Sequence, residues 1–300
     1  MNLQATDNGR RRIPYQLIAG LVLIAIWWPL AWLQIRPLSD FYFFPLWLGY
    51  ILTIDGFVEL RTGTSAWRRS HTTFILLFPL SAAFWWIFEG LNEFLGNWYY
   101  VHPEGTGTAY YLITSTLSFS TVIPAVIGTF ELFASFRIGE RIPGLGHWRF
   151  GSRGLFIFQI AGATIIVLIA LWPEYFFSLV WLSLFFIIEP INQRLGQTSL
   201  WQYARNNNWG PVYNVMLGTM FTGFFWEMWN LYSNPKWYYD VPFVDFLYIF
   251  EMPILGYFGY MPFGLEVISF TALLLWFTGH RPQRYMRASL DEPVQQPDPN

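Results

Sequence analysis

Eight apolar runs of spanning length divide this 300-residue sequence, near 15–35, 41–59, 73–95, 109–136, 154–172, 175–190, 211–233 and 262–279. Hydrocarbon offers no water to backbone amides, so a segment that crosses it folds as a helix bonded to itself. The expected class is all-α: a polytopic membrane helix bundle of about eight spans. Composition agrees, with 54% hydrophobic and only 12% charged residues, against about 25% charge in soluble domains. A further apolar stretch, 242–261, is broken by Asp245, Glu251, Pro253, Gly256, Gly259 and Pro262. It is expected to be an interfacial or re-entrant piece feeding the last helix.

The basic residues set the orientation. With eight spans, 15 of the 17 Lys and Arg fall on one side: Arg10, Arg11, Arg12, Arg61, Arg68, Arg69, Arg137, Arg141, Arg149, Arg153, Arg194, Arg205, Arg281, Arg284 and Arg287. Only Arg36 and Lys236 fall on the other. The positive-inside rule then places both termini in the cytoplasm. A separate crossing by 242–261 would put the last three arginines outside and is rejected. The first span is too long and too rich in Trp for a signal peptide, and no small-residue cleavage site follows. The expected location is the cell membrane, multi-pass, of the bacterial inner-membrane kind.

The chain also contains an internal echo. Residues 41–67 align without gaps on 175–201 at an offset of 134, with seven of 27 positions identical: Phe43/Phe177, Trp47/Trp181, Leu48/Leu182, Ile54/Ile188, Thr64/Thr198, Ser65/Ser199 and Trp67/Trp201. Asp55 falls on Glu189. Further on, Glu89, Asn92 and Trp98-Tyr99-Tyr100 answer Glu227, Asn230 and Trp237-Tyr238-Tyr239. The expected organisation is a disordered tail (1–12), a four-helix repeat (13–136), a Gly- and Pro-rich cytoplasmic joint (137–153), a second four-helix repeat (154–282) and a disordered tail (283–300). Four helices per repeat is an even number, so the copies are expected to run parallel.

An ionised carboxylate in hydrocarbon is costly, which makes an intramembrane acid a candidate functional group. Glu89/Asn92 and Glu227/Asn230 are spaced i, i+3 and share a helix face. The amide is expected to orient the acid beside it. Trp85 and Trp86 precede the first pair, and Trp226 and Trp229 flank the second. The bland alternative is polar glue between helices. Asp55 and Glu189 lie near the inner helix ends, where a surface ion pair with Arg61 or Arg194 is as good an account as a functional role. Glu131 and Glu266 end the apolar cores of their repeats. Glu251 precedes Pro253 and has no acidic counterpart in the first copy.

Absences narrow the chemistry. The sequence has no cysteine, which removes disulfides and thiolate chemistry. Its histidines (His71, His102, His147 and His280) lie at loop or helix-end positions, and no HExxH occurs, so no metal or other cofactor is expected. No basic patch suggests nucleic acid. Asp55 and Glu59 form a lone DxxxE of the kind that holds Mg²⁺ and diphosphate in membrane prenyltransferases, but the second copy reads Glu189-Pro-Ile-Asn-Gln193. What remains is acids and ring faces, with no base and no nucleophile. Such a set suits carbocation chemistry, in which a neutral acid protonates an alkene and ring faces stabilise the cation. It also suits proton or cation translocation.

Trp226-Glu227, Trp237-Tyr238-Tyr239 and Glu251-Met252-Pro253 together resemble the small membrane-embedded lycopene cyclase domain family, built from tandem multi-helix repeats. The family's Pro-x-Glu-Glu motif is absent here. The resemblance implies an apolar isoprenoid substrate and acid-catalysed cyclisation or isomerisation. On it, Glu227, Glu89 and Glu251 are the expected catalytic acids. Asn92, Asn230, Trp226, Trp229, Trp85, Tyr238, Asp55, Glu189 and Glu266 are the expected substrate contacts. The alternatives are a proton- or cation-coupled transporter or channel, and a non-catalytic membrane subunit.

Overall fold

The computed structural model describes residues 12–102, 107–197 and 199–280. The tail expected at 283–300 lies outside these residues, as does all but Arg12 of the tail expected at 1–12. Thr198 of the internal echo and Arg10, Arg11, Arg281, Arg284 and Arg287 of the orientation argument also lie outside them.

The chain is mostly helical. Its helices are α1 (Tyr15–Trp32), α2 (Phe43–Thr62), the short α3 (Ala66–Arg69), α4 (His71–Leu95), α5 (Thr108–Phe119), α6 (Val122–Ser135), α7 (Ser152–Leu171), the short α8 (Pro173–Phe176), α9 (Val180–Arg194), the short α10 (Leu200–Arg205), α11 (Gly210–Asn230) and α12 (Tyr260–Phe277). Among the described residues, seven helical segments are long and apolar enough to cross a membrane: 15–32, 43–62, 71–95, 108–135, 152–171, 173–194 and 254–277. The chain is thus a polytopic membrane protein in contact with lipid. At 21 residues α11 is also long enough to cross, but its hydropathy is lowered by Asn214, Thr219, Thr222, Glu227 and Asn230, all fully buried.

Packing follows from where small residues let backbones approach. A Cβ on Gly56 of α2 would lie 2.8 Å from Leu17 Cα of α1, and one on Gly162 of α7 would lie 2.7 Å from Ser183 O of α9. The pairs α1/α2 and α7/α9 are therefore close. Their outer faces expose Ile18, Val22 and Ile26 on α1, and Phe156, Ile157 and Ile160 on α7. Between the pairs, α6, α11 and α12 form the interior, with Ile123, Ile127, Phe130, Val215 and Val267 fully buried.

The structure departs from the sequence expectations in two places and adds detail at a third. The run 109–136 is two helices, α5 and α6, separated at Ser120 and Thr121. Pro124 lacks the N–H that would continue the ladder, and Ser81 of α4 bridges the break: its hydroxyl donates to Phe119 O at 2.6 Å and accepts from Ile123 N at 3.0 Å. The chain is also not purely helical. Strand β1 (Trp98–Val101) pairs antiparallel with β2 (Lys236–Tyr239), and the stretch 242–261 contains a hairpin of β3 (Tyr248–Ile249) and β4 (Met252–Pro253), followed by 3₁₀ turns at Ile254–Gly259. Finally, the joint 137–153 is strapped to the second half: Gly139 N and Gly146 N donate to Asn214 Oδ1 and Asn207 Oδ1 at 2.7 and 3.0 Å.

Candidate functional site

The β1–β2 ribbon closes one end of the bundle and organises the site. Each strand follows directly on a long helix, so α4 and α11 end together. Period-two alternation turns Trp98 and Tyr100 to one face of β1 and Tyr99 to the other. In β2 it separates Trp237 and Tyr239 from Tyr238. The register is Trp98↔Tyr239, Tyr99↔Tyr238 and Tyr100↔Trp237. The central pair, Tyr99 and Tyr238, stacks with ring centroids 5.7 Å apart.

The two asparagines fix the strands. Asn92 Nδ2 donates to Trp98 O at 2.8 Å, and its Oδ1 accepts from Asn97 N at 2.9 Å. Asn230 Nδ2 donates to Trp237 O at 2.7 Å, and its Oδ1 accepts from Trp237 N at 2.9 Å. These amides were expected to orient the neighbouring acids. They serve the backbone instead, because each strand begins within reach of the helix end and its peptide groups need partners.

Aromatic donors orient the acids. Glu89 Oε1 accepts from Trp85 Nε1 at 2.7 Å, Trp98 Nε1 at 3.0 Å and the Tyr100 hydroxyl at 2.7 Å. Glu227 Oε1 accepts from the Tyr239 hydroxyl at 2.7 Å and the Tyr260 hydroxyl at 2.5 Å, while Trp237 Nε1 donates to Tyr239 at 2.8 Å. Glu227 Oε2 is buried with no partner among the described residues. The donor four residues before Glu89 is Trp85. The residue four before Glu227 is Gly223, and the Tyr260 ring fills the space a side chain there would need.

These donors wall a cavity of about 690 Å³. Trp85, Trp98 and Tyr100 line it on the Glu89 side; Trp226, Trp237, Tyr239 and Tyr260 line it on the Glu227 side, with Trp181 and Phe263 between. Trp181 stacks on Phe88 and Trp98 at 5.5 and 5.9 Å. The carboxyl groups of Glu89 and Glu227 stand behind this wall, not in it. Glu251 is outside it too, paired with Lys236 at 2.6 Å. Trp229 is buried against Trp47 and Tyr50 instead, and Tyr239, not Tyr238, carries the hydroxyl that reaches Glu227. His102 also lines the cavity, and neither of its ring nitrogens has a hydrogen-bond partner among the described residues. Burial lowers its pKa from the usual 6.5, so the imidazole is neutral at pH 7. The cavity wall therefore includes an imidazole that its loop position in the sequence concealed.

The remaining acids are placed elsewhere. Asp55 and Glu189, 2% and 0% exposed, accept from Trp67 N at 3.0 Å and Trp201 N at 3.1 Å. Each thus caps from outside, accepting a first-turn N–H of a short helix, α3 or α10, whose own N-cap residues are Ser65 and Ser199. The arginines considered as their surface partners bond elsewhere: Arg61 donates to Ser135, and Arg194 to Gln159. Glu131 pairs with Arg69 in a buried ion pair. Glu266 accepts from Leu184 N and Phe185 N at 2.8 and 3.3 Å, so Glu131 and Glu266 have different surroundings. Asp55, Glu189 and Glu266 do not line the cavity.

The fold and site define a polytopic membrane protein with buried acidic residues amid aromatic clusters. Comparison with family models, curated proteins and solved structures finds no match.

Proposed function

We propose that the cavity binds an apolar, isoprenoid-like lipid and that Glu227 supplies a proton for its cyclisation or isomerisation. The observation that carries this reading is the cavity wall, in which Tyr239 and Tyr260 both line the space and contact Glu227 Oε1 through their hydroxyls. Its volume of about 690 Å³ suits a small-molecule site. With the carboxyl group protonated and donating to a phenol oxygen, that phenol gives its own proton to an alkene carbon as it takes the carboxyl proton, leaving a carboxylate. The rings stabilise the resulting cation, and the proton lost from an adjacent carbon returns through the phenol to the Glu227 carboxylate, which restores the site. The resemblance to the lycopene cyclase domain family supports the same substrate class.

The reading includes two parallel four-helix repeats, with α11 as the eighth crossing and both termini cytoplasmic. Support comes from the matching bonds of Asn92 and Asn230 and from the arginines gathered near the joint. Transport by proton or cation coupling has less support, because Asp55 and Glu189 are committed to helix caps. The test compares lipid extracts of membranes carrying the wild-type chain, Glu227→Gln or no chain. Wild type should change the isoprenoid fraction; the Gln variant should express and melt normally yet change nothing. An active Gln variant would overturn the acid's role.

A further inference from the structure

A second pocket, of about 420 Å³, opens at the arginine-rich end of the bundle. Trp148, Arg149, Phe150, Gln193, Trp201 and Arg205 line it, together with Gly151 and Gln202. No acid contributes to the lining. Trp201 is 8% exposed, and its indole N–H has no acceptor among the described residues. No described residue accepts from the guanidinium groups of Arg149 or Arg205. A buried orphan donor that shares a pocket with two solvent-exposed arginines makes a donor-rich site suited to an anion.

The aligned positions of the first half show what such a site looks like when filled from within. At the offset of 134, Glu59, Trp67 and Arg68 correspond to Gln193, Trp201 and Gln202. Arg68 pairs with Glu59 at 2.9 Å, and the Trp67 indole donates to the Tyr15 hydroxyl. In the second half both charges are replaced by amides and the indole is left open. Gln193 Oε1 is also buried without a partner among the described residues, available to a hydroxyl or ammonium donor on the ligand.

We propose that this pocket binds a phosphate-bearing group, either a glycerophospholipid headgroup or free phosphate. Phosphate oxygens accept from Arg149, Arg205 and Trp201. The site is independent of the aromatic cavity and of the chemistry proposed there.

The test uses the full chain in an uncharged detergent and follows its melting temperature. The probes are dihexanoylphosphatidylglycerol, inorganic phosphate and dihexanoylglycerol, which lacks phosphate. A saturable rise with the phospholipid alone identifies a headgroup site; an equal rise with inorganic phosphate identifies a free-phosphate site. Arg149→Gln with Arg205→Gln should weaken binding about tenfold or more, the loss of two charge-assisted contacts. Gln193→Glu with Gln202→Arg restores the internal pair and should abolish binding while leaving the unliganded melting temperature unchanged. Undiminished binding by either double variant, no response to either phosphate probe, or an equal response to dihexanoylglycerol would overturn the proposal.

Discussion

Gly223→Ala tests the geometry around Glu227 most directly. A Cβ at Gly223 would approach Tyr260 Cγ to 2.6 Å, closer than carbon atoms tolerate, so the ring must move. Moving it breaks the 2.5 Å hydrogen bond from the Tyr260 hydroxyl to Glu227. Overpacking costs about 1–3 kcal/mol, and an interhelical hydrogen bond in a membrane about 0.6 kcal/mol. Alanine recovers about 1 kcal/mol through its better helix propensity. The net loss should be about 1–2 kcal/mol on these magnitudes. In a Tyr260→Ala background the obstruction is gone, and Gly223→Ala should be neutral or stabilising. A double-mutant cycle followed by reversible unfolding in mixed micelles should therefore give a coupling of about 2 kcal/mol. Additivity within about 0.5 kcal/mol would refute the argument that this glycine exists to admit the ring.

Other perturbations separate structural from functional acids. Asp55→Ala and Glu189→Ala each remove a cap from a short helix and should cost about 1–2 kcal/mol, leaving ligand binding in the aromatic cavity unchanged; a loss of binding at full stability would contradict the capping role. Cysteines at Gly107 and Gly144 should react with an impermeant reagent from opposite sides of the membrane, and same-side labelling would rule out the eight-crossing arrangement. His102 has a lowered pKa, so the unfolded chain takes the proton first as pH falls. Its contribution to stability is complete above 6.5 and is lost as pH drops from 6.5 toward the lower folded value. His102→Gln should flatten that part of the melting profile, and an unchanged profile would discount the buried imidazole.

Apolar run length was enough to find the seven described segments of spanning length, because hydrocarbon leaves the backbone few options; α11, the other expected span, falls short in hydropathy. It could not show that 109–136 breaks, since the break depends on Ser81 supplying bonds from another helix. The sequence singled out Glu89 and Glu227 by their matching placement, but gave no sign of their aromatic partners. Tyr239 could have been preferred to Tyr238 by reading Trp-x-Tyr as a strand, in which the first and third side chains share a face. Tyr260 and His102 carried no local signal: their roles come from long-range packing around Gly223 and along the cavity wall. Asn92 and Asn230 were noticed for the right spacing and the wrong partner, because the demand of the nearby strand backbone is invisible in a helix-face argument.

The register of the β1–β2 ribbon bears on the proposed repeat. Under the correspondence of Trp98, Tyr99 and Tyr100 with Trp237, Tyr238 and Tyr239, Trp98 faces the counterpart of Tyr100, Tyr100 faces the counterpart of Trp98, and the middle tyrosine faces its own counterpart. Such a ribbon is self-complementary: two copies of one strand could build it with no change of sequence. On the proposed repeat, a half-length chain would close the same end of a symmetric homodimer through this ribbon, and the two halves differ where Trp85 stands in one and Gly223 admits the Tyr260 ring in the other.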